Sequence, residues 1–351
     1  MIMEDIIISP TMTIKQSIKK LDETAKKILL VAEENILVGV ITDGDIRRWI
    51  LKNGDFDNSV SEMMHKTPIV IFEKNRKNAS KIMKEKHIYA IPVVTKKYEL
   101  VDIIFWEETF EEDYLVKQNI NIPVVVMAGG KGTRLYPYTK ILPKPLIPIG
   151  EQTILERIMN KFGQVGCIDF FLTVNHKKNM IKAYVEETLS HYNVRYVEEE
   201  DFLGTAGSLN LLKGQIKETF FVTNCDILVE ANYEKLLKFH KENKYKITLV
   251  TTLKNYAIPY GVIRTNSEGC VEKLEEKPEY NFQINTGLYI LEPEVLDDIP
   301  QNEFYHITDL IEKYISQNEK VGVYPILENA WMDMGEIQEM QSMLKKLGIE
   351  S

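Results

Sequence analysis

Cysteine is scarce and scattered. There are three in 351 residues, at Cys167, Cys225 and Cys270, with no C-x-x-C spacing. That excludes a disulfide framework, a cysteine zinc site and a dithiol redox motif, and it fits a reducing cytoplasm. No stretch approaches the ~18 consecutive apolar residues of a membrane span. The opening Met1-Ile2-Met3-Glu4-Asp5 lacks a basic region, so no signal peptide is expected and no membrane association. Positive charge is in deficit: 43 Lys and Arg against 52 Asp and Glu leave a formal net charge of −9. A broad nucleic-acid or anionic-membrane surface is therefore not expected, and any anionic ligand must be held locally. Two familiar phosphate motifs are also missing. The GxxxxGK[ST] loop is absent, and the dinucleotide fingerprint fails because Leu135 stands where its last glycine belongs.

What is present is ordinary for a globular chain, with 44% hydrophobic and 27% charged residues, and the length suits two or three domains. The chain is organised around Val124-Val125-Val126-Met127-Ala128-Gly129-Gly130-Lys131-Gly132-Thr133-Arg134-Leu135. Four apolar residues read as a buried strand. The glycines after it let backbone N–H groups approach a ligand, which suits a polyphosphate. A tight strand-to-loop turn would read the same way in isolation. Arg134 adds a fixed charge, and Lys144 adds a second on the proline-stiffened arm Leu142-Pro143-Lys144-Pro145. The expected occupant is a nucleoside triphosphate.

Residues 1–115 contain an internal repeat. The first half runs from a helix-like segment through strands Ile28–Val31 and Leu37–Ile41 to a helix, Asp45–Leu51. The second half repeats it with a helix Ala79–Lys86, strands Ala90–Val94 and Leu100–Phe105, and a helix from Glu107. A shift of 63 residues lays Leu37 on Leu100 and Ile41 on Ile104. Each half is too small for its own core, so the two are expected to pack together. The first half closes with Thr42-Asp43-Gly44-Asp45. Thr42 and Asp45 either contact a ribose diol or merely cap the following helix. The shift puts Phe105 and Glu108 at the matching places, so the second copy is degenerate. Residues 116–121 read as a short connector.

From Ile122 onward strands and helices alternate. Thr153 precedes Ile154, Leu155, Ile158, Met159, Phe162 and Val165, which share one helical face. Strands are expected at Phe170–Val174, Phe220–Thr223 and Ile247–Thr252, and helices at Met180–Leu189 and Tyr233–Glu242. This is an α/β pattern with a mostly parallel sheet and ligand at the strands' C-terminal ends. Asp226 follows the second of those strands, on the sheet edge where the glycine loop lies. Asp333 stands far downstream in Trp331-Met332-Asp333. Two carboxylates beside a triphosphate suit Mg²⁺, which favours oxygen ligands completed by phosphate. Between them, Glu276, Lys277, Asn285 and Thr286 are residue types for hydroxyls and phosphate, although a charged loop before a strand looks the same. In Glu198-Glu199-Glu200-Asp201, either the run is a solvated loop or one carboxylate faces a nucleobase. A carboxylate only accepts, and so prefers guanine's N1–H and N2–H₂ edge.

With these residues in place, 122–345 resembles the sugar-1-phosphate nucleotidyltransferases. Gly129-Gly130-Lys131-Gly132-Thr133-Arg134-Leu135, Pro143-Lys144-Pro145, Asp226, Gly261, Glu276-Lys277-Pro278, Asn285, Gly287 and Asp333 fall in that family's order, with Cys225 standing where glycine is common. Leu203-Gly204-Thr205-Ala206-Gly207 is more similar to the guanylyl-transferring branch than to the thymidylyl branch. Gly39 to Arg48 resembles the cystathionine-β-synthase (CBS) repeat. The resemblance implies a Rossmann-like, mixed, mostly parallel α/β domain at 122–351, preceded by an α+β CBS-pair domain. It implies Arg134, Lys144 and Asp226 as catalytic, and Ala128, Gly129, Gly130, Gly132, Thr133, Glu199, Gly204 and Thr205 as nucleotide-binding. Gly261, Glu276, Lys277, Asn285 and Thr286 fall to the sugar phosphate, Asp226 and Asp333 to Mg²⁺, and Thr42 and Asp45 to an adenine nucleotide on the CBS pair. GTP and a sugar 1-phosphate are the expected substrates and a homo-oligomer the expected assembly. A CBS pair in front is similar to guanylyltransferases of heptose and nonulosonic acid pathways, including the legionaminic acid route, which implies glucosamine 1-phosphate. Thymidylyl or uridylyl transfer is the alternative chemistry, and a non-catalytic nucleotide-sensing scaffold the alternative class.

Overall fold

The computed structural model of the chain describes residues 3–24, 26, 28–86, 88, 90–105 and 120–349. It divides into two compact units, Met1–Val116 and Lys117–Ser351. The expected helix from Glu107, the position of Glu108 and most of the 116–121 connector lie outside the described residues.

The first unit displays the repeat directly. Strands β1 (Ile7–Ile8), β2 (Ile28–Glu33) and β3 (Ile36–Thr42) form one sheet in that order, with helices α1 (Ile14–Thr24) and α2 (Asp43–Leu51). Strands β4 (Ile71–Phe72), β5 (Ala90–Val94) and β6 (Leu100–Phe105) form a second, with α3 (Ala79–Lys86). Each sheet has a parallel first pair and an antiparallel second pair. The tip of the β2–β3 hairpin meets its counterpart: Leu37 N donates to Tyr98 O at 2.8 Å and Leu100 N to Asn35 O at 2.9 Å.

The second unit is built on a seven-stranded sheet. Its strands are β7 (Val124–Met127), β10 (Asp169–Val174), β11 (Asn193–Glu198), β12 (Phe220–Asn224), β14 (Ile247–Ala257), β17 (Glu279–Leu291) and β18 (Val321–Ile326), in the order β11-β10-β7-β12-β17-β14-β18. β17 runs antiparallel to both its neighbours, and the other pairings are parallel. The Val124–Val126 run explains why β7 is central. β-branched residues suit a pleated surface, and alternate side chains enter opposite faces. Val124 and Val126 join one core, and Val125 joins another across the sheet.

The first core is covered by α4 (Ile154–Gln164), α5 (Lys178–Thr188), α6 (Tyr233–Asn243) and α8 (Ile337–Lys346), and the second by α7 (Ile307–Ser316). Thr153 caps α4 by accepting from Glu156 N at 3.2 Å, and Ile154, Leu155, Ile158, Met159 and Phe162 are all buried. Phe162, Phe221 and Tyr233 lock α4, β12 and α6 together, with ring centroids 4.9 to 5.6 Å apart. No described helix is long and apolar enough to cross a membrane.

Three features were not read from the sequence. β14 runs past its expected end at Thr252 and leaves the sheet as a two-stranded arm, pairing only with β17 as far as Ala257 opposite Glu279. The arm ends in a hairpin of β15 (Val262–Thr265) and β16 (Val271–Glu275). Two further short pairs join β8 (Pro148–Ile149) to β9 (Gln152–Thr153) and β13 (Ile227–Val229) to β19 (Trp331–Asp333). The last of these builds the site.

Candidate functional site

Parallel pairing brings the C-terminal ends of β7, β10 and β12 to one edge. Ala128 N donates to Thr173 O at 2.9 Å, so the chain stays on the sheet until Gly129. A Cβ on Gly129 would lie 2.7 Å from Glu199 Oε1, whereas one on Gly130 would meet nothing within 4 Å. The first glycine therefore makes room for a carboxylate, and the second is clear of protein, as backbone that receives a ligand must be. Gly132 has φ +64° and opens a single 3₁₀ turn, Thr133–Leu135, which buries Leu135 and leaves Arg134 exposed. A Cβ there would sit 3.0 Å from both Lys144 Cβ and Thr139 Cγ2. The Thr139 hydroxyl donates to Gly132 O at 2.8 Å. Thr139 and Lys144 are thus packed around one glycine, two residues before Arg134.

The carboxylates come together through the backbone. β13 pairs antiparallel with β19 so that Ile227 faces Asp333, and Met334 N donates to Asp226 O at 2.8 Å. Residues more than a hundred positions apart become neighbours. The Lys144 ammonium is ion-paired with the Asp226 carboxylate, the two side chains being only 11% and 13% exposed. Gly335 N donates to Asp333 Oδ1 at 2.7 Å. Burial above all, then the Asp226 charge, holds the Asp333 carboxyl above the usual range, against the pull of the Gly335 N–H and the Lys144 charge. Two adjacent carboxylates, one of them ion-paired with Lys144, have the oxygen donors that a hard dication takes.

Glu199 directly follows β11 in a buried position, and its Oε2 accepts from Leu203 N at 3.2 Å. Burial pushes its carboxyl up, partly offset by hydrogen bonds from Leu203 N–H and Thr173. Asn175 donates to Glu199 O at 2.9 Å and so fastens this loop. Beside it, burial and then Lys177 and Lys131 lower the pKa of His176. Gly204, at φ +82°, lies against Tyr305, where a Cβ would be 2.6 Å from the carbonyl oxygen. The hydroxyl of Thr205 accepts from Ile307 N at 3.0 Å and so supports the start of α7.

On the arm, Gly261 and Glu276 meet, a Cβ on the glycine lying 3.1 Å from Glu276 Oε2. Lys277 stands next to them in a left-handed conformation, φ +47°. The Asn285 amide donates to Tyr289 OH at 2.6 Å and its oxygen accepts from Gly287 N at 3.1 Å. Thr286, expected at the sugar, follows Asn285. It is buried and its hydroxyl donates to Val250 O at 2.8 Å. Its carbonyl accepts from Trp331 Nε1 at 3.2 Å, tying β17 to the strand that carries Asp333. Asn224, unremarked in the sequence, lies under Gly287 and two residues before Asp226.

In the first unit, the Thr42 hydroxyl and N–H both donate to Asp45 Oδ2, at 2.7 and 2.9 Å, and Asp45 is also ion-paired with Arg48. Asp45 thus accepts from the backbone N–H that opens α2, as in a capping box.

Comparison with known proteins places both units in families. The nucleotidyl transferase family model matches residues 123–348, and the CBS domain model matches residues 1–52. The chain is 33% identical over 221 residues to mannose-1-phosphate guanyltransferase 2 of Candida glabrata, covering 60% of this chain and 61% of that protein. It is 32% identical over 228 residues to the Saccharomyces cerevisiae mannose-1-phosphate guanyltransferase, covering 62% of each. The chain thus spans about three fifths of the length of these relatives. Among solved structures, HddC from Yersinia pseudotuberculosis superposes with a TM-score of 0.52 at 23% identity, over 64% of this chain and 99% of that one. At that identity the likeness is one of fold.

Proposed function

The chain belongs to the nucleotidyl transferase family, and on that premise we propose that it transfers a guanylyl group from GTP to a sugar 1-phosphate. The products are a GDP-sugar and pyrophosphate. The observation that carries this reading is the β13–β19 pairing, which brings Asp333 beside the turn of Asp226, itself ion-paired with Lys144 on the loop that also presents Arg134.

The reaction needs little else. A sugar-phosphate oxygen, already ionised at neutral pH, forms a bond to the α-phosphorus while the bond to the β-phosphoryl oxygen breaks and pyrophosphate leaves. No general base is required. The obstacle is the approach of like charges, about 4 kcal/mol for each unit pair at ~4 Å and an effective dielectric of ~20. Arg134 and Lys144 offset that repulsion, and Lys277 adds a third cation on the sugar side. Asp226 and Asp333 would hold Mg²⁺, which supplies positive charge to phosphate oxygens. The donor set fits, and the raised Asp333 carboxyl is what an adjacent dication relieves. Catalysis by this chain is then positioning and charge stabilisation.

Guanine is favoured by Glu199, whose Oε1 lies against Gly129 with no cation paired to it among the described residues. The names of the relatives favour the same base. Glucosamine 1-phosphate is the sugar we favour, in a nonulosonic acid route. Mannose 1-phosphate competes with it because the relatives are named for it.

The test is pyrophosphate release with four nucleoside triphosphates against glucosamine, N-acetylglucosamine, mannose and heptose 1-phosphates. GTP should be used best. Glu199→Gln should reduce the preference for GTP over ITP, which lacks the 2-amino group, by about 10–100-fold, the scale of a hydrogen bond to a charged acceptor. No release with any pair would leave the nucleotide-sensing scaffold as the reading. An unchanged GTP/ITP ratio would remove Glu199 from base recognition.

A further inference from the structure

The segment between Arg134 and Lys144 has few anchors of its own. Tyr136, Tyr138 and Ile141 are exposed, Ile141 at 76%, and among residues 136–142 Thr139 alone is fully buried, at 2%. The segment makes one 3₁₀ turn, Tyr138–Lys140. The carbonyls at the end of such a turn have no partner within it.

Lys177 supplies that partner. Its ammonium donates to Thr139 O at 3.1 Å, Lys140 O at 2.7 Å and Ile141 O at 2.7 Å. An ammonium has three donors, and all three are committed to backbone, so this lysine has none left for a phosphate. Its placement is otherwise unfavourable. It is the N-cap of α5 with φ 54° and ψ 33°, a left-handed conformation costly for a side-chain-bearing residue. A cation at a helix N-terminus also opposes the helix dipole. Three converging charge-assisted hydrogen bonds offset those costs.

We propose that Lys177 is a positioning residue that fastens the 136–142 segment to the end of β10 and thereby sets Arg134 and Lys144. The connection runs from the ammonium through the carbonyls to Thr139, whose hydroxyl holds Gly132, and from Gly132 to Lys144, which packs on it. Lys177 stands three residues past β10, and β10 lies beside the strand that bears the glycine loop. The central sheet therefore supports the catalytic loop from two adjacent strands. This inference deepens the transferase reading and rests on it for the identity of the reaction.

The test uses the full chain with Lys177→Met and Lys177→Arg. Hydrogen exchange across residues 133–146 should accelerate about 10-fold or more in Lys177→Met, while the sheet and the melting temperature stay near wild type. With GTP varied, kcat/KM should fall about 10–100-fold, as for a misplaced catalytic group. Lys177→Arg, which keeps charge and several donors, should recover both. Combined with Lys144→Ala, Lys177→Met should cost less than the sum of the two single losses, because part of its effect runs through that residue. Wild-type exchange in 133–146 for Lys177→Met would overturn the proposal, and so would a fully additive loss in the double variant. If the wild-type chain releases no pyrophosphate, the transferase reading fails and the exchange measurement alone decides on Lys177.

Discussion

Asp333 is the residue on which charge is most finely balanced. It is half-buried beside Asp226, so its carboxyl keeps a proton to higher pH in the fold than in the unfolded chain. Between the unfolded value, about 3.9, and the raised folded one, folding takes up a proton, and stability falls as pH rises. Above the folded value the full penalty is present. Asp333→Asn should therefore melt higher than wild type at pH 8, and the gain should vanish as pH falls below about 4. Thermal melts across that range measure it. Millimolar Mg²⁺ should raise the wild-type melting temperature at pH 8 and leave the variant unmoved, by preferential binding to the folded state. A variant that melts lower at pH 8 would refute the like-charge account. Cys225, next to Asp226, is inert by comparison, since burial pushes its thiol up to about 12.

At the scale of elements, the site depends on where β17 crosses β12. Gly287 takes φ +89°, and a Cβ on it would lie 2.6 Å from Asn224 Nδ2 and 3.0 Å from Asn224 Cγ. Asn224 ends β12 just before the Asp226 turn, so a side chain at 287 must move the element carrying that carboxylate. Gly287→Ala combines a disfavoured φ with overpacking and should cost about 2 kcal/mol or more. For a unit of this size that is a melting temperature lower by about 4–8 °C, together with a reduced kcat. Unchanged melting and turnover would show that Asn224 yields freely. The other junction of this kind is His240, fully buried in α6, whose ring bonds Thr248 Oγ1 at 2.8 Å and Glu292 Oε1 at 3.0 Å. It pins the helix to the start of β14 and the end of β17, away from the chemistry, and its bond holds the Glu292 carboxyl below the usual range.

At the scale of the molecule, the second unit has a core on each face of its sheet, drawn from residues 122–349. The residues assigned to GTP, Mg²⁺ and sugar all lie in it. A fragment spanning 120–351 should therefore unfold cooperatively and release pyrophosphate with a kcat within a few-fold of the full chain, while any response to added AMP or ATP should be lost. A fragment that folds but has no activity would place an essential part of the enzyme in residues 1–119.

Much of this was written locally. Val124–Val126, the α4 face from Ile154 to Phe162 and the 63-residue repeat declare strand, helix and duplication, because burial periodicity and β-branching act within a few residues. The glycine loop with Arg134 and Lys144 declared anion chemistry for the same reason. For Thr205 and Thr286, residue type states what a hydroxyl is able to do, while the partner it bonds is set by segments a hundred or 36 positions away. The β15–β16 hairpin escaped notice because its Ile263, Val271 and Leu274 are exposed and do not mark a core. The sequence by itself determined the element types, the two-unit division and the kind of chemistry. Only the tertiary structure decided that Asp226 meets Asp333 and Lys144, that Glu199 fits against Gly129, and that Lys177 holds the loop. Each of those contacts is a long-range pairing, fixed by sheet register and close packing, which no local pattern encodes.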